Sequence, residues 1–468
     1  MRAPRILIGA TGSGSGKTTI TCALLEILKR QGKKVQAFKC GPDYIDPMFH
    51  RTVLGIPSKN LDTFFTGEKM TADLFMESVE NADISVMEGV MGLYDGLGGI
   101  RKEGSAYDLA TVTDTPVLLI VDAHGMGRSI LPLIAGFLSY DTNHLIRGII
   151  LNRTSGAFFE TIRPEIERSF PIAVLGYFPN QKDILLESRH LGLKRPEEIE
   201  KMAEMLAKTA DMLEKTVDID RLFAIAEGAS ELSDDNTFEN GSSGEQKVAL
   251  RETEKKPMIA VSRDEAFCFY YEDNLKALQG AGAEIVFFSP LHDNGVPKEA
   301  DGLLLLGGYP ELYAKELSEN KPMLADIRKK AKSAMPIVAE CGGFMYLHRT
   351  MEDMEHRIYE MAGVVPGECF YTGKLVRFGY IELEEKKANF LPENVNIKGH
   401  EFHYFDSTAN GDECVALKPV SEKKYDCIFD EKSCFVGFPH LYYPSAPQFA
   451  ENFVKKAKNY ADRKNQKL

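Results

Sequence analysis

A glycine-rich turn directly after a short apolar strand is the feature that most constrains the fold of this chain. Residues 6–8 are the apolar run Ile-Leu-Ile, and residues 9–18 read GATGSGSGKT before a helical pattern begins. Successive backbone N–H groups in such a turn can surround an anion, and the N-terminus of the following helix adds a positive dipole end. A strand, a glycine turn and a helix in this order predict a parallel α/β domain whose loop binds phosphate.

The residues of this loop suit ATP. Lys17 can reach the terminal phosphates, and Thr18 can offer a hydroxyl to Mg²⁺. Thr11 stands where the strict spacing requires the first glycine, so a variant phosphate loop is predicted. The predicted ATP-binding residues of the loop are Gly12, Gly14, Gly16, Lys17, Thr18 and Thr19.

Two carboxylates are predicted to join Thr18 at Mg²⁺, which prefers hard oxygen ligands. Asp43 lies in the stretch 39–47, KCGPDYIDP, and Glu88 follows the apolar strand at 84–87. The predicted metal ligands are therefore Thr18, Asp43 and Glu88.

Alternating strand-like and helical segments organise both halves of the chain. β-Branched runs lie at 35–38, 84–87, 116–121 and 148–151, and a second series lies at 257–261, 283–288, 302–306 and 336–339. Such alternation favours parallel sheets covered by helices. Between them, the polar and acidic stretch 229–256 has the composition of a flexible linker. We therefore predict domains at 1–228 and 257–468.

A cysteine nucleophile is predicted in the second domain. Cys341 follows the apolar strand at 336–339, and the next two residues are glycines that allow close backbone approach. The N–H groups of Gly342 and Gly308 could form an oxyanion hole. A base is also needed, and spacing alone does not choose among His440, His400 and His403.

Composition excludes several classes of function. The 56 Lys and Arg against 69 Asp and Glu give a net charge of −13, which disfavours nucleic acid or an anionic membrane as a partner. No apolar run approaches the ~20 residues of a membrane helix, and no signal peptide is evident, so a cytoplasmic protein is expected. The 8 cysteines include no Cys-x-x-Cys pair, so neither a zinc site nor a disulfide framework is indicated.

Six motifs, in order, resemble the cobyrinic acid a,c-diamide synthase family of cobalamin-pathway glutamine amidotransferases. They are 39–47 (KCGPDYIDP), 87–96 (MEGVMGLYDG), 188–193 (SRHLGL), 307–311 (GGYPE), 340–343 (ECGG) and 399–404 (GHEFHY). The resemblance implies a dethiobiotin-synthetase-like phosphate-loop domain followed by a class I glutamine amidotransferase domain. It also implies ATP-dependent amidation of the a- and c-carboxylates of cobyrinate through acyl phosphates, with L-glutamine as nitrogen donor.

The resemblance also assigns individual residues. It implies that His440 is the base for Cys341, and that Asp43, Glu88 and Asp95 are acidic residues of the synthetase site. Tyr44 and Ile45 would meet the tetrapyrrole, and Asn152 would contact adenine. The chain departs from the family pattern at Ala10, Phe158, Asn180 and Tyr442. Tyr442 replaces a frequent second histidine, which favours His440 as the base.

Other functions remain open at this stage. The same amidation of nickel-sirohydrochlorin or hydrogenobyrinate is the nearest alternative, and the oligomeric state, including a homodimer, is not fixed. A partition-type ATPase carries a signature lysine five residues before the main one, where this chain has Gly12. A regulatory protein with an inactive glutaminase domain would not need Cys341 and His440.

Overall fold

A computed structural model describes residues 2–180, 196–232, 256–429 and 433–466. The chain divides into two compact units, Met1–Gly241 and Ser242–Leu468, which are described separately. The motif at 188–193 and most of the predicted linker at 229–256 lie outside the described residues. The predicted domain boundaries therefore stay a prediction.

The first unit contains a seven-stranded sheet in the order β3-β2-β4-β1-β5-β6-β7, with every neighbouring pair parallel. All six residues of its central strand β1 are buried, as expected for a strand covered on both faces. The strands are β1 Arg5–Ala10, β2 Val35–Cys40, β3 Ser58–Leu61, β4 Ile84–Glu88, β5 Val117–Asp122, β6 Ile146–Asn152 and β7 Ala173–Phe178.

This unit has the helices α1 Lys17–Arg30, α2 Ile45–Phe49, α3 Thr63–Val79, α4 Ala106–Val112, α5 Ile130–Tyr140, α6 Gly156–Ser169, α7 Pro196–Thr216 and α8 Ile219–Glu227. Helices α1 to α6 lie between these strands along the chain, and α7 and α8 follow β7. The α1 helix starts immediately after the glycine turn, as the sequence predicts. Because β4 and β5 flank β1, the segments that follow these three strands lie at one edge of the sheet.

The second unit has sixteen strands among its described residues. They are β8 Met258–Ser262, β9 Phe267–Phe269, β10 Glu284–Phe288, β11 Gly302–Leu305, β12 Gly307–Gly308, β13 Ile337–Glu340, β14 Thr350–Glu352, β15 Ile358–Glu360, β16 Glu368–Tyr371, β17 Arg377–Glu385, β18 Asn396–His403, β19 Phe405–Ser407, β20 Cys414–Leu417, β21 Lys424–Cys427, β22 Cys434–Gly437 and β23 His440–Leu441. Its helices are α9 Glu272–Gly280, α10 Ala314–Glu319, α11 Lys321–Lys332, α12 Gly342–Leu347 and α13 Pro447–Asn465.

A parallel sheet forms the centre of this unit, in the order β10-β8-β11-β13-β22. Strands β8, β11 and β13 are built from apolar residues that are almost all buried. Both central sheets are parallel and joined through helices, which confirms the predicted α/β class. The segment between β13 and β22 forms two further sheets, in the orders β15-β14-β16-β19 and β21-β20-β17-β18-β23, and the second also includes β23, which follows β22. The second of these is antiparallel throughout.

Candidate functional site

The glycine turn of the first unit has the backbone geometry of a phosphate loop. Gly14 and Gly16 have φ of +73° and +90°, a region that side chains other than glycine rarely adopt. A Cβ at Gly16 would also lie 2.2 Å from Nδ2 of Asn152. That amide donates a hydrogen bond to the Ser15 carbonyl at 2.7 Å. The structure therefore places Asn152 against the loop, and its predicted contact with adenine stays a prediction.

Lys17 lies inside this loop. Its ammonium donates to the carbonyl of Gly12 at 3.2 Å and to that of Met91. Burial, followed by the charge of Lys39, lowers the pKa of Lys17 to about 8. A phosphate oxygen arriving here would offer this ammonium a charged acceptor in place of two neutral carbonyls.

Thr18 and Glu88, two of the three predicted metal ligands, are in direct contact. The Thr18 hydroxyl donates to Oε1 of Glu88 at 2.6 Å. Glu88 ends β4, beside Ile8 of β1, and this register brings its carboxylate beneath the loop. Burial raises the pKa of Glu88 to about 7, and the charge of Asp46 adds to the shift. These are hard oxygen donors suited to Mg²⁺.

The carboxylate of Asp43, the third predicted ligand, accepts hydrogen bonds within its own turn. Its Oδ1 accepts from the backbone N–H groups of Ile45 at 2.8 Å and Asp46 at 3.2 Å. Burial and the charge of Asp46 raise the pKa of Asp43. The Asp43 carboxylate thus shapes the start of α2, and its part in binding metal stays a prediction.

Two charged residues that sequence reasoning missed lie between these groups. Lys39 pairs with Asp46 at 2.5 Å and with Glu88 at 2.8 Å, and all three side chains are buried. Burial works to lower the pKa of Lys39, but Asp46 and Glu88 outweigh it and raise that pKa well above its usual value. Lys39 is the penultimate residue of β2 and lies opposite Glu88 of β4 in the parallel register, a relation that the sequence alone does not show.

Asp95 and Tyr44 lie in the segments that follow β4 and β2, respectively. Asp95 accepts from the Gly92 N–H at 2.9 Å, and its charge acts on Lys17. Tyr44 is buried, and Ile45 begins α2. Their predicted catalytic and tetrapyrrole-binding roles stay predictions. In the described part of the chain, no group of three or more His, Cys, Asp or Glu side chains could hold a metal ion. A Mg²⁺ at Thr18 and Glu88 would thus need phosphate oxygens and water to complete its shell.

In the second unit, Cys341 occupies a sharp turn between β13 and α12. Its φ of +44° and ψ of −103° are unusual for a residue with a side chain, and such strain concentrates at functional sites. The two following glycines allow the turn to pack. A Cβ at Gly343 would lie 2.3 Å from the Leu305 carbonyl oxygen, and one at Gly342 would lie 2.8 Å from Cδ of Pro310.

The two predicted oxyanion donors are neighbours. A Cβ at Gly342 would lie 3.1 Å from the backbone nitrogen of Gly308. Gly308 is held in place by the pairing of β12 with β9. A Cβ at Gly308 would lie 2.1 Å from the Ala266 carbonyl oxygen. The backbone N–H of Gly342 acts to lower the pKa of the Cys341 thiol.

All three candidate histidines lie in one cluster beside this turn. The Cys341 N–H donates to the Gly437 carbonyl at 2.8 Å, three residues before His440. The His440 ring is stacked on His400 with centroids 5.0 Å apart, and a Cβ at Gly307 would lie 2.4 Å from its Cε1. His403 instead stacks on Phe438, and its Nδ1 donates to the Phe405 carbonyl at 2.7 Å.

A buried carboxylate that sequence reasoning left without a role faces His440. Oε2 of Glu340 lies 3.9 Å from Nδ1 of His440, and its Oε1 accepts from the Tyr443 hydroxyl at 3.2 Å. Burial raises the pKa of Glu340 to about 8 and lowers that of His440 to about 3. Burial, followed by the charge of Glu311, also raises the pKa of the Cys341 thiol. Burial thus favours the neutral forms of both the Cys341 thiol and the His440 imidazole.

Comparison with known proteins matches both units to described families. Residues 6–193 match the CobQ/CobB/MinD/ParA nucleotide binding domain, and residues 258–445 match the CobB/CobQ-like glutamine amidotransferase domain. A protein named cobyrinate a,c-diamide synthase from Caldanaerobacter subterraneus subsp. tengcongensis is 38% identical over 97% of this chain and 98% of its own length. The chain belongs to the cobyrinate a,c-diamide synthase family.

Further relatives carry the same name. The protein from Listeria innocua is 38% identical over 95% of this chain and 97% of its own length. The protein from Dehalococcoides mccartyi strain CBDB1 is 36% identical over 98% of this chain and 99% of its own length. As a family member the chain is an ATP-using ligase of the glutamine amidotransferase type, which confirms the family and enzyme class predicted from the motifs. Over the described residues, no helix is long and apolar enough to cross a membrane.

Proposed function

We propose that this protein amidates the a- and c-carboxylates of cobyrinate, using ATP and glutamine, to give cobyrinate a,c-diamide. The observation that carries the proposal is the near full-length similarity to relatives of that name. The pairing of a phosphate loop with a cysteine turn in one chain supports it. Amidation of hydrogenobyrinate or nickel-sirohydrochlorin is the alternative, because nothing in either site distinguishes these macrocycles.

The first unit would activate the carboxylate. A carboxylate is a poor acyl electrophile, since its leaving group would be oxide. Its oxygen would attack the γ-phosphorus of ATP, ADP would leave, and an acyl phosphate would form. Lys17 would hold the transferring phosphoryl group, while Thr18 and Glu88 would hold Mg²⁺. When bound, Mg²⁺ offsets the negative charge of the phosphates. Ammonia would then attack the acyl carbon, release phosphate and lose a proton to give the amide.

The second unit would supply the ammonia. The Cys341 sulfur would attack the glutamine carboxamide as His440 accepts the thiol proton, and the N–H groups of Gly342 and Gly308 would stabilise the oxyanion. His440 would return that proton to the departing nitrogen, leaving a thioester. Water would hydrolyse this thioester to glutamate and the free thiol. The neutral thiol and imidazole of the resting site fit a mechanism in which proton transfer accompanies attack.

The test is an assay of the purified protein with ATP, Mg²⁺ and glutamine against each of the three macrocycles. Mass spectrometry would follow the loss of one mass unit for each carboxylate converted to carboxamide. The proposal predicts two sequential conversions of cobyrinate, with a higher kcat/KM than for either of the other two. A higher kcat/KM for hydrogenobyrinate or nickel-sirohydrochlorin would contradict the proposed substrate. No product from any of them would contradict the proposal as a whole.

A further inference from the structure

For glutamine hydrolysis at Cys341, His440 must be correctly oriented as well as close to the thiol. The imidazole must accept the thiol proton on one ring nitrogen, so its other nitrogen must carry a proton and be held in place. A carboxylate is the group that does this best, because it accepts the N–H and offsets the charge of the imidazolium. The question is which carboxylate of this unit faces His440.

The position two residues beyond His440 does not supply one. Tyr442 stands there, and its hydroxyl donates to Asp273 at 3.0 Å. Glu401, on the strand beside β23, is already surrounded by its own partners. It contacts Tyr425 directly, Lys418 at 3.4 Å, Arg377 at 3.6 Å and His403 at 3.8 Å.

Glu340 has a different arrangement. One oxygen is held by the Tyr443 hydroxyl at 3.2 Å, and the other faces Nδ1 of His440 at 3.9 Å. The backbone N–H of Leu441 acts to lower the pKa of this carboxyl group, against the larger effect of burial. Glu340 is the last residue of β13, next to Cys341, so one rigid strand end carries both groups. The distance of 3.9 Å exceeds a hydrogen bond, and catalytic contacts of this kind often shorten when substrate binds.

We propose that Glu340 is the positioning residue of the glutaminase site, holding His440 through Nδ1 so that Nε2 accepts the proton of Cys341. This inference rests on the proposed roles of Cys341 and His440. The nucleophile and the residue that orients its base are then adjacent in sequence, at the C-terminal end of a single strand.

The proposal predicts a particular pH dependence. A protonated carboxyl group can still accept the Nδ1–H through its carbonyl oxygen, but only the ionised carboxylate also offsets the charge of the imidazolium, and burial raises the pKa of Glu340 to about 8. Glutamine hydrolysis should therefore rise with pH through an ascending limb near that value. The apparent pKa of this ascending limb is a property of several interacting residues rather than of Glu340 alone. His440 also faces His400, His403 and the charge of Glu401. Cys341 in turn faces Glu311, Glu401 and Glu340.

The test compares Glu340→Gln and Glu340→Asp with the wild-type protein. Glu340→Gln keeps the shape and removes the charge, so kcat for glutamine hydrolysis should fall about 10- to 100-fold while KM for glutamine changes less than about twofold. The ascending limb should disappear. Glu340→Asp should retain the limb with a reduced kcat. The rate of Cys341 alkylation by iodoacetamide, followed by peptide mass mapping across pH, should change in the same way.

Glu385→Gln is the matched control for a purely structural effect. Glu385 is also a buried carboxylate of this unit, and it accepts the backbone N–H groups of Asn389, Phe390 and Leu391. If Glu340 matters only for folding, the two glutamine variants should lower stability and activity alike and keep the wild-type pH profile. That result would overturn the proposal. A Glu340→Gln variant with the wild-type kcat and the wild-type ascending limb in its pH profile would also overturn it.

The proposed function fails separately. Glutamine hydrolysis that survives Cys341→Ser or His440→Ala would show that the site itself is wrongly assigned. Loss of hydrolysis in both of these variants, with an unaltered Glu340→Gln, would remove only the role of Glu340. Ammonia-dependent synthesis should be unchanged in every variant that folds.

Discussion

Substitution of Gly307 by alanine tests the position of His440 without replacing any proposed reacting group. The new Cβ would lie 2.4 Å from Cε1 and 3.1 Å from Nδ1 of the His440 ring. Ordinary van der Waals contact begins at 3.4 Å, so the ring must move by about 3.4 − 2.4 = 1.0 Å. Gly307 is not among the residues with positive φ, so its backbone accepts alanine and the strain falls on the ring.

A displacement of this size should slow glutamine hydrolysis. Moving a reacting group by ~1 Å costs about 10²-fold in rate, or ~2.7 kcal/mol of transition-state stabilisation. We expect kcat for glutamine hydrolysis to fall by about that factor while ammonia-dependent synthesis stays at its wild-type rate. Glutamate release measures the first activity, and diamide formation with ammonium chloride measures the second.

Gly280→Ala is the matched control, because a Cβ there, at the end of α9, would meet no atom within 4 Å. It should leave both activities unchanged. Gly307→Ala with wild-type glutamine hydrolysis would refute the placement of His440 in the glutaminase site. Loss of both activities together with a lowered melting temperature would show instead that the substitution disrupts the fold.

Two further predictions concern the synthetase site and the segment between the domains. Lys17→Ala and Glu88→Gln should lose synthesis with glutamine and with ammonium alike, because activation of the carboxylate precedes both; wild-type ammonia-dependent turnover in Lys17→Ala would contradict the phosphate-loop assignment. Deletion of about ten residues within 229–256 should leave glutamine hydrolysis and ammonia-driven ATP turnover intact, since loop closure changes by only ~0.5 kcal/mol. Collapse of that ATP turnover in a folded deletion variant would place the segment in the synthetase site.

The parallel sheets were predictable because their strands are short apolar runs set between helical patterns. The predicted runs at 35–38, 84–87 and 302–306 lie at or within two residues of the bounds of β2, β4 and β11. Strands β3 and β7 were not predicted, and β3 reads Ser-Lys-Asn-Leu, which has no apolar run to mark it. The antiparallel sheet was also missed, although β17 alternates between buried and more exposed positions over part of its length.

Site residues that belong to a local sequence motif could be predicted. Site residues that the fold brings together from distant parts of the chain could not. The glycines beside Lys17 indicated a phosphate loop, and those beside Cys341 indicated a sharp turn. Spacing could not choose among the three histidines, because β23 and β18 pair to stack His440 on His400. Lys39 and Glu340 were missed because the role of each depends on a residue of another strand. Lys39 lies opposite Glu88 of β4, and Glu340 faces His440 of β23.

The central claim is that one chain divides the work between a thiol that releases ammonia and a phosphate loop that activates a carboxylate. Its most direct test measures the source of the product nitrogen with [amide-¹⁵N]glutamine and unlabelled ammonium chloride present together. The wild-type protein should give a diamide carrying ¹⁵N. Cys341→Ala should form the diamide with ¹⁴N alone, at a rate set by the ammonium concentration. A ¹⁵N-labelled diamide from Cys341→Ala, or no diamide from this variant at any ammonium concentration while it stays folded, would contradict the claim.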